Sequence, residues 1–360
     1  MQKFVFAYKT AEKLVNDVIK PGLCSGCGAC IGYCPYIKSY GERVGVVHNC
    51  KQSEGTCYRI CPRTETDYDH LRKETFGDVE SEPVFGNFNK MYFARSCDES
   101  VRDRGQYGGV VTAMSIFALQ TGVIDCALMT GGNFTAAKPF IASSTGEMLA
   151  CTGSKYTASP SLSLYQDAVK EGFQNIGVVG RPCQCTAARK MQQVTEIKGE
   201  RISLIIGLFC MGSFSPDFYK FVKSKGLDEY EKMDIPGDVK FKKDSKEMIL
   251  PYDEVRKYIR DSCSICFDPL SELADLSVGS TEYDYGWNTL IIRTSKGASL
   301  AQDAVSSGII EVKDYPIDRL PLLGKAVFNK KKRVLERRDA VYLEISDRER
   351  KYFLTDGGGV

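Results

Sequence analysis

The sequence predicts an α/β fold, a mixed-sheet core preceded by a small cysteine-rich module, on three observations. Seven cysteines lie between positions 24 and 61. From Lys90 onward, β-branched runs alternate with helical patterns, the signature of helices packed on a sheet. Between these regions, DYDHLRKETFGDVESEP is polar and follows neither period. At 360 residues the chain exceeds the usual size of one domain, so a small module plus a larger one is expected. The expected divisions are an N-terminal helix at 1–17, the cysteine module at 18–66, a linker at 67–89, a large domain at 90–322, and a C-terminal basic helix and tail at 323–360.

Taken in chain order, residues 1–17 read as a short amphipathic helix. The module opens with Cys24-Ser-Gly-Cys27-Gly-Ala-Cys30-Ile-Gly-Tyr-Cys34-Pro35 and closes with Cys57-Tyr-Arg-Ile-Cys61-Pro62. Thiolates at i, i+3 and i+6, then a fourth before proline, are the spacing with which a ferredoxin-like loop wraps an iron–sulfur cube. In that pattern the fourth cysteine serves a neighbouring cluster and a distant Cys-Pro closes the first. The first cluster therefore takes Cys24, Cys27, Cys30 and Cys61, and the second takes Cys34, Cys50 and Cys57. One thiolate is missing from the second, and Glu54 stands three residues before Cys57. A non-cysteine ligand, a remote thiol such as Cys97, or an incomplete cube would each account for it.

Zinc and disulfides are the competing readings of the module. Zinc sites usually separate two Cys-x2-Cys pairs by a dozen or more residues, and an unbroken x2, x2 run strains a tetrahedral site. Disulfides need an oxidising compartment. The first residues, MQKFVFAYKTAEKLV, show neither a long apolar run nor a small-residue cleavage site, so a cytoplasmic location and metal-ligating thiols are expected.

In the large domain, MYFARS, IDCALMTG, IGVVG, RISLIIGLFC and NTLIIRT are strand candidates, and GGVVTAMSIFALQTG and the stretch near LSLYQDAVKEG are helices. Cys183, Cys210, Cys263 and Cys266 each follow a strand or open a loop, so strand ends could gather them around one further cluster. A lone Cys183 or Cys210 would more often be a small buried hydrophobe, but the Cys-x2-Cys at 263 and 266 calls for two more thiolates. Cys126, Cys151 and Cys185 read as core. Gly108 and Gly109 precede an apolar helix that includes Thr112, where backbone amides can cradle a phosphate. Beside them, Ser154, Lys155, Tyr156 and Thr157 offer hydroxyls and a cation of the kind a flavin needs. Flavins are the usual link between two-electron and one-electron chemistry. No G-x-G-x-x-G follows a strand, so a nicotinamide-binding module is not supported.

The composition excludes other classes. Hydrophobic residues make up 43%, charged residues 26%, and the net charge is +2, so no nucleic-acid surface is implied. No apolar stretch approaches the ~20 residues needed to span a bilayer. Lys330, Lys331, Lys332, Arg333, Arg337 and Arg338 read as the solvated face of a helix, with docking to an acidic partner as the second reading.

The strings ARSCDESVRDRGQYGGVVTA, GSKYTASP, RPCQ, GLFCMGSF, KMDIPGDVKF, CSICFDPLSELADLSVGS and GWNTLIIRT, in that order over residues 90–310, resemble the family of beta subunits of coenzyme F420-reducing hydrogenase and dehydrogenase. The resemblance implies FAD near the Gly-Gly helix and the Lys-Tyr-Thr segment, with Pro182 and Gln184 of RPCQ in the same cofactor-binding set. It also implies an iron–sulfur cluster, mainly of the 4Fe–4S type, on Cys183, Cys210, Cys263 and Cys266. That makes two to three clusters in all, with coenzyme F420 as hydride substrate. Its acidic tail would seek cations, for which Arg95, Arg102 and Arg104, or Lys240, Lys242 and Lys243, are placed. Expected partners are redox subunits or ferredoxin. The stretch Gly279 to Gly286 departs from the family's shorter loop. The core is thus read as flavin-binding and the module as a ferredoxin-like iron–sulfur domain. Two alternatives stand beside this: a ferredoxin-fed flavin reductase of another organic substrate, and an electron-relay subunit with no substrate of its own.

Overall fold

A computed structural model describes residues 11–32, 34–48, 50, 52, 54–281, 284–337, 340 and 342–356. Residues 1–10 of the expected N-terminal helix, Glu282 and Tyr283 of the departing loop, Arg338, and the terminal glycines lie outside these. What is described of the first helix is Ala11–Leu14, continued by a π-helical turn at Val15–Ile19.

The module carries one hairpin, β1 (Ile37–Tyr40) with β2 (Arg43–Val46), and a short helix, Thr56–Arg59. Its cysteine loop folds onto the large domain so closely that a side-chain carbon on Gly28 would come within 2.5 Å of the Pro160 carbonyl oxygen. Gly28 also has φ +91°, so both the turn and the approach require glycine. The stretch 67–89 is more than a linker: β3 (Thr66–Asp67) leads into the helix Tyr68–Phe76, capped by the Asp67 side chain, and that helix buries Tyr68, Leu71 and Arg72.

The core is a mixed eight-stranded sheet. Its strands are β4 (Lys90–Ser96), β5 (Cys126–Gly131), β6 (Lys138–Ala142), β7 (Ile176–Gly180), β8 (Ile202–Leu208), β12 (Leu276–Ser280), β13 (Asn288–Ile292) and β14 (Ile310–Asp314). A separate small sheet is made of β9 (Lys232–Asp234), β10 (Val239–Lys243) and β11 (Lys246–Leu250). The large-sheet order is β14-β4-β13-β12-β8-β7-β5-β6, in which β5, β7, β8 and β12 run parallel and the flanking pairs are antiparallel. Parallel strands are covered on both faces and so read as unbroken apolar runs; β7, IGVVG, is buried throughout. Alternate residues serve opposite faces. Ala127, Met129, Leu204 and Ile206 meet the helices Val110–Gln120 and Ser295–Ser306, while Leu128, Val178 and Ile205 meet the helix Pro182–Gln192 and the module's Cys27, Ala29 and Ile60. Because β7 and β8 are adjacent and parallel, the loops after their carboxyl ends lie side by side.

The C-terminal part departs from expectation. On the helix Leu320–Leu335, Lys331 is 0% exposed and Lys330 is 3% exposed, so neither belongs to a solvated face. Lys331 Nζ lies 2.6 Å from Glu272, which Arg72 Nη2 also contacts at 3.1 Å, and Arg72 Nη1 reaches Glu349 at 2.5 Å. A desolvated cation is tolerable only with such partners, and the partners come from four distant stretches of chain. Sequence pattern could not show this, because a lysine surrounded by lysines has the same local statistics whether or not a carboxylate waits across the fold. After that helix, β15 (Leu343–Glu344) pairs in parallel with β3, closing the C-terminal segment onto the start of the large domain.

Removing the shared carboxylate should be costly. Glu272→Ala removes the carboxylate that Lys331 and Arg72 share, leaving Lys331 with the Pro83 carbonyl and no ion-pair partner, and an expected loss of about 3–5 kcal/mol would show as a lower urea midpoint with an unchanged slope.

Candidate functional site

Four thiols meet where the carboxyl ends of β7 and β8 face the module. Cys183, Cys210, Cys263 and Cys266 line a single cavity together with Ser25, Arg63, Arg181, Pro182, Ser213 and Lys330. Cys183 lies in the first turn of the eleven-residue helix Pro182–Gln192. Cys210 follows β8 directly, and Cys263 lies on the short helix Asp261–Ser264. The Ser213 amide donates to Cys263 Sγ at 3.3 Å. Burial pushes the Cys210 thiol up to about 12, against the pull of Lys330 and Arg181. Burial also acts to raise Cys266, but Arg63 and Lys330 outweigh it and hold that thiol below its ordinary range.

Three cations ring this cavity, and sequence reading named none of them as site residues. Lys330 donates to the Cys210 carbonyl at 2.7 Å. Arg63 donates to the Tyr342 hydroxyl at 3.0 Å and to the Ser262 carbonyl at 3.3 Å. Arg181 Nη1 donates to Ser213 Oγ at 2.5 Å, while its Nη2 is buried with no hydrogen-bond partner. An orphaned guanidinium nitrogen beside four thiols fits an anionic, thiolate-held group. Among the described residues no three His, Cys, Asp or Glu side chains converge as the ligands of one metal ion would. The four thiolates of an iron–sulfur cube bind different irons, and so need no such convergence.

Further thiols pack together in the module. Cys24, Cys30 and Cys57 are buried in one apolar cluster, with Cys34, Cys50 and Cys61 packed against it. Burial first, then Cys27, Cys61, Cys24 and Cys57, holds the Cys30 thiol well above its ordinary range. Cys57 is pushed up to about 11 by burial and by Cys34 and Cys50. Cys27 is pushed up to about 12 by burial and by both Cys61 and Cys183, so it stands between the module's inner set and the cavity of the large domain. The Arg63 amide donates to Cys61 Sγ at 3.4 Å. Cys97 is exposed near the far end of β4, and Cys126, Cys151 and Cys185 are buried.

The segments read as flavin-binding also come together, through one carboxylate. Tyr107 Oη donates to Asp234 Oδ2 at 3.1 Å, Tyr156 Oη donates to Asp234 Oδ1 at 3.3 Å, and Gln106 Nε2 donates to Tyr156 Oη at 3.0 Å and to Asp234. Burial, then Asp234, holds both tyrosines protonated well above their ordinary range. Asp234 stands opposite Lys240 in the β9–β10 register, and Tyr107 stacks on Tyr285 with ring centres 5.7 Å apart. Lys155 donates to the Cys151 and Thr152 carbonyls at 2.6 and 2.8 Å, and burial holds it down to about 8. No carboxylate among the described residues pairs with it.

Other expected contacts are engaged elsewhere. A side-chain carbon on Gly108 would meet the Ala94 carbonyl oxygen at 2.7 Å, so close packing of this turn on β4 requires glycine there. Gly109 has φ +70° as the helix N-cap, Val110 N donates to Asn288 Oδ1 at 3.3 Å, and Thr112 is buried. Gln184 accepts from Arg181 N at 3.0 Å and donates to Ser159 O and Ser161 Oγ at 3.1 and 2.6 Å, which makes it a structural brace of the cavity wall. Pro182 lines the thiol cavity. Arg95 pairs with Glu311, Arg102 donates to the Ser96 carbonyl at 2.7 Å, and Lys240 and Lys242 share Glu247. Thr157 forms a bridge with Phe214 at the cavity's flank. Of the residues sequence reading passed over, Asp234 had a signal in KMDIPGD, whereas Arg63 and Arg181 differ from any other arginine only by adjoining Cys-Pro and Pro-Cys.

Residues 91–166 match the N-terminal model, and residues 173–317 the C-terminal model, of the coenzyme F420 hydrogenase/dehydrogenase beta subunit. The chain is 35% identical to the coenzyme F420 hydrogenase subunit beta of Methanothermobacter thermautotrophicus, over 67% of this chain and 89% of that one. It is 30% identical to a subunit of the F(420)H(2) dehydrogenase of Methanosarcina mazei, over 92% of this chain and 96% of that one, so the match includes the cysteine module. A chain of the F420-reducing [NiFe] hydrogenase complex from Methanosarcina barkeri superposes with a TM-score of 0.67 at 29% identity, covering 72% of this chain and 95% of that chain. No helix among the described residues is long and apolar enough to cross a membrane. With both halves of its large domain matched and its sheet shared with a solved relative, the chain belongs to the family of the coenzyme F420 hydrogenase/dehydrogenase beta subunit.

Proposed function

We propose that this chain is a flavin- and iron–sulfur-containing oxidoreductase that passes electrons between coenzyme F420, a hydride carrier, and one-electron carriers, as a subunit of a larger redox complex. One observation supports the reading: the module's thiols pack together, Cys27 stands near both Cys61 and Cys183, and Cys183, Cys210, Cys263 and Cys266 line one cavity beside it, so thiols run without a break from module to large domain. On this reading Cys34, Cys50 and Cys57 form an outer set, Cys24, Cys27, Cys30 and Cys61 an inner set, and the cavity thiols a third. The relatives' names, a hydrogenase beta subunit and an F(420)H(2) dehydrogenase subunit, support the hydride partner and membership of a complex.

When bound, FAD would divide the electron pair of a hydride into the single electrons that iron–sulfur clusters carry. The chain's own groups prepare for both. Arg63, Arg181 and Lys330 offset the charge of the thiolates at the large-domain cavity, and the amide of Ser213 supports one sulfur. Lys155 supplies a cation for an anionic ring or pyrophosphate, Ser154 and Tyr156 adjoin it, and Asp234 fixes Tyr107 and Tyr156 in place. Lys240, on the strand facing Asp234, lies 4.0 Å from Glu247, a long pair that the acidic tail of the coenzyme would replace. Electrons pass in either direction along such a series, as the partners' potentials dictate.

The test is anaerobic mixing of flavin-loaded protein with reduced F420. Bleaching of the flavin supports the proposal, and an unreactive flavin with clusters intact favours a reductase of another substrate.

Cys266→Ser should leave flavin reduction by reduced F420 largely intact while halting electron delivery to a one-electron acceptor; stopped-flow traces of the flavin and of the acceptor separate the two. An acceptor rate equal to that of the native protein would take Cys266 off the path.

The Lys155 amine gives FAD binding a pH signature. Its folded pKa of about 8 lies below the ordinary 10.5, so the free site disfavours charge, and an anion that restores charge takes up a proton on binding between those values. FAD affinity should therefore fall as pH rises above about 8, by at most about tenfold per pH unit, in fluorescence titrations. Lys155→Met should bind FAD more weakly with a flat profile.

A further inference from the structure

The outer thiol set of the module lacks a member, and nothing else in the chain supplies it. All fifteen cysteines lie among the described residues. Four form the inner set and four line the large-domain cavity. Cys126 belongs to β5, Cys185 is buried in the helix Pro182–Gln192, Cys151 adjoins Lys155, and Cys97 is exposed beyond β4. None of these four joins the apolar cluster in which Cys34, Cys50 and Cys57 pack. Three thiolates therefore face a position that a complete cube would fill with a fourth.

Cys34 and Cys50 are partly exposed while Cys57 is buried, so the outer set reaches the surface through its first two members. The hairpin beside them shows Tyr40 to solvent at 84% and is followed by Val47 at 67%. Glu54, exposed and three residues before Cys57, occupies the place in the run where the missing thiolate would stand.

Resting on the iron–sulfur reading of the module given above, we infer that the outer centre held by Cys34, Cys50 and Cys57 has one iron without a thiolate, and that this iron is exchangeable, held at the surface by an oxygen ligand for which Glu54 is the nearest in sequence. Its release is balanced without an oxidant: a four-iron core of charge 2+ loses Fe2+ and leaves a neutral three-iron core, with all three thiolates still bound. Rebinding of Fe2+ reverses the step. The outermost station of the electron path thus exists in two forms, chosen by the supply of ferrous iron.

The experiment uses the full chain, reconstituted anaerobically with iron and sulfide and then treated with a slight excess of ferricyanide, which removes one electron from the three-iron core. The expected result is the near-isotropic paramagnetic resonance signal of an oxidised three-iron cluster, lost again when dithiothreitol and ferrous iron are added. Glu54→Cys, which supplies a fourth thiolate, should abolish that signal while iron content is retained. Cys34→Ala should abolish it too, by removing a ligand of the same centre. A native chain with iron for all three sets but no three-iron signal overturns the inference alone. So does a signal that survives both substitutions, since it then arises from another centre. Iron for a single cluster only would overturn the reading of the module itself, and the inference with it.

Discussion

Three buried cations hold the module against the large domain, and the positions of the thiols depend on them. A desolvated ammonium or guanidinium is tolerable only when its donors are met. Lys190 Nζ reaches the carbonyls of Cys61 and Glu65 at 2.7 and 2.9 Å and the hydroxyls of Thr64 and Thr66 at 3.2 Å. Arg260 reaches the carbonyls of Cys24 and Ser25 at 2.8 Å and that of Glu42 at 3.0 Å. Arg63 crosses in the opposite direction, from the module to Ser262 and Tyr342. Their acceptors are largely main-chain carbonyls adjoining cysteines, so satisfying the cations fixes the cysteine backbone. The side-by-side placing of Cys27 and Cys183 follows from this seam, to which neither residue supplies a charge.

The same residues set the electrostatics of the sulfur sites. Arg63 donates its amide to Cys61 on one side and turns its guanidinium toward Cys266 on the other, so it acts on both sets at once. Hydrogen bonds to sulfur and nearby positive charge are the levers by which a protein would adjust the iron–sulfur centres proposed above, and both are concentrated at this seam.

The features legible in the sequence were those with local causes. The spacing of Cys24, Cys27 and Cys30 belongs to one local loop, and Cys263 and Cys266, at the interval of a chelating pair, do share a cavity with Cys183 and Cys210. The parallel strands β7 and β8 were legible because burial on both faces leaves an apolar run. What sequence hid has non-local causes. Lys330 and Lys331 resemble a solvated face until Glu272 and the Cys210 carbonyl are brought to them from elsewhere. Gly108 gives no local sign that β4 packs against it too closely for any side chain. The small β9–β11 sheet escaped notice because its strands are short and rich in lysine, and the helix Tyr68–Phe76 because its stretch is mostly polar.

The order in which the chain emerges adds a consequence. Cys183, Cys210, Cys263 and Cys266 are all synthesised before Lys330, which lines their cavity, and before Tyr342, which accepts from Arg63 of that lining. A domain made from its N-terminus onward holds these four sulfurs beneath an unfinished wall. On the iron–sulfur reading proposed above, iron and sulfide arriving during this interval would meet a cavity open on one side, whereas in the finished chain Lys330 of the helix Leu320–Leu335 stands over it.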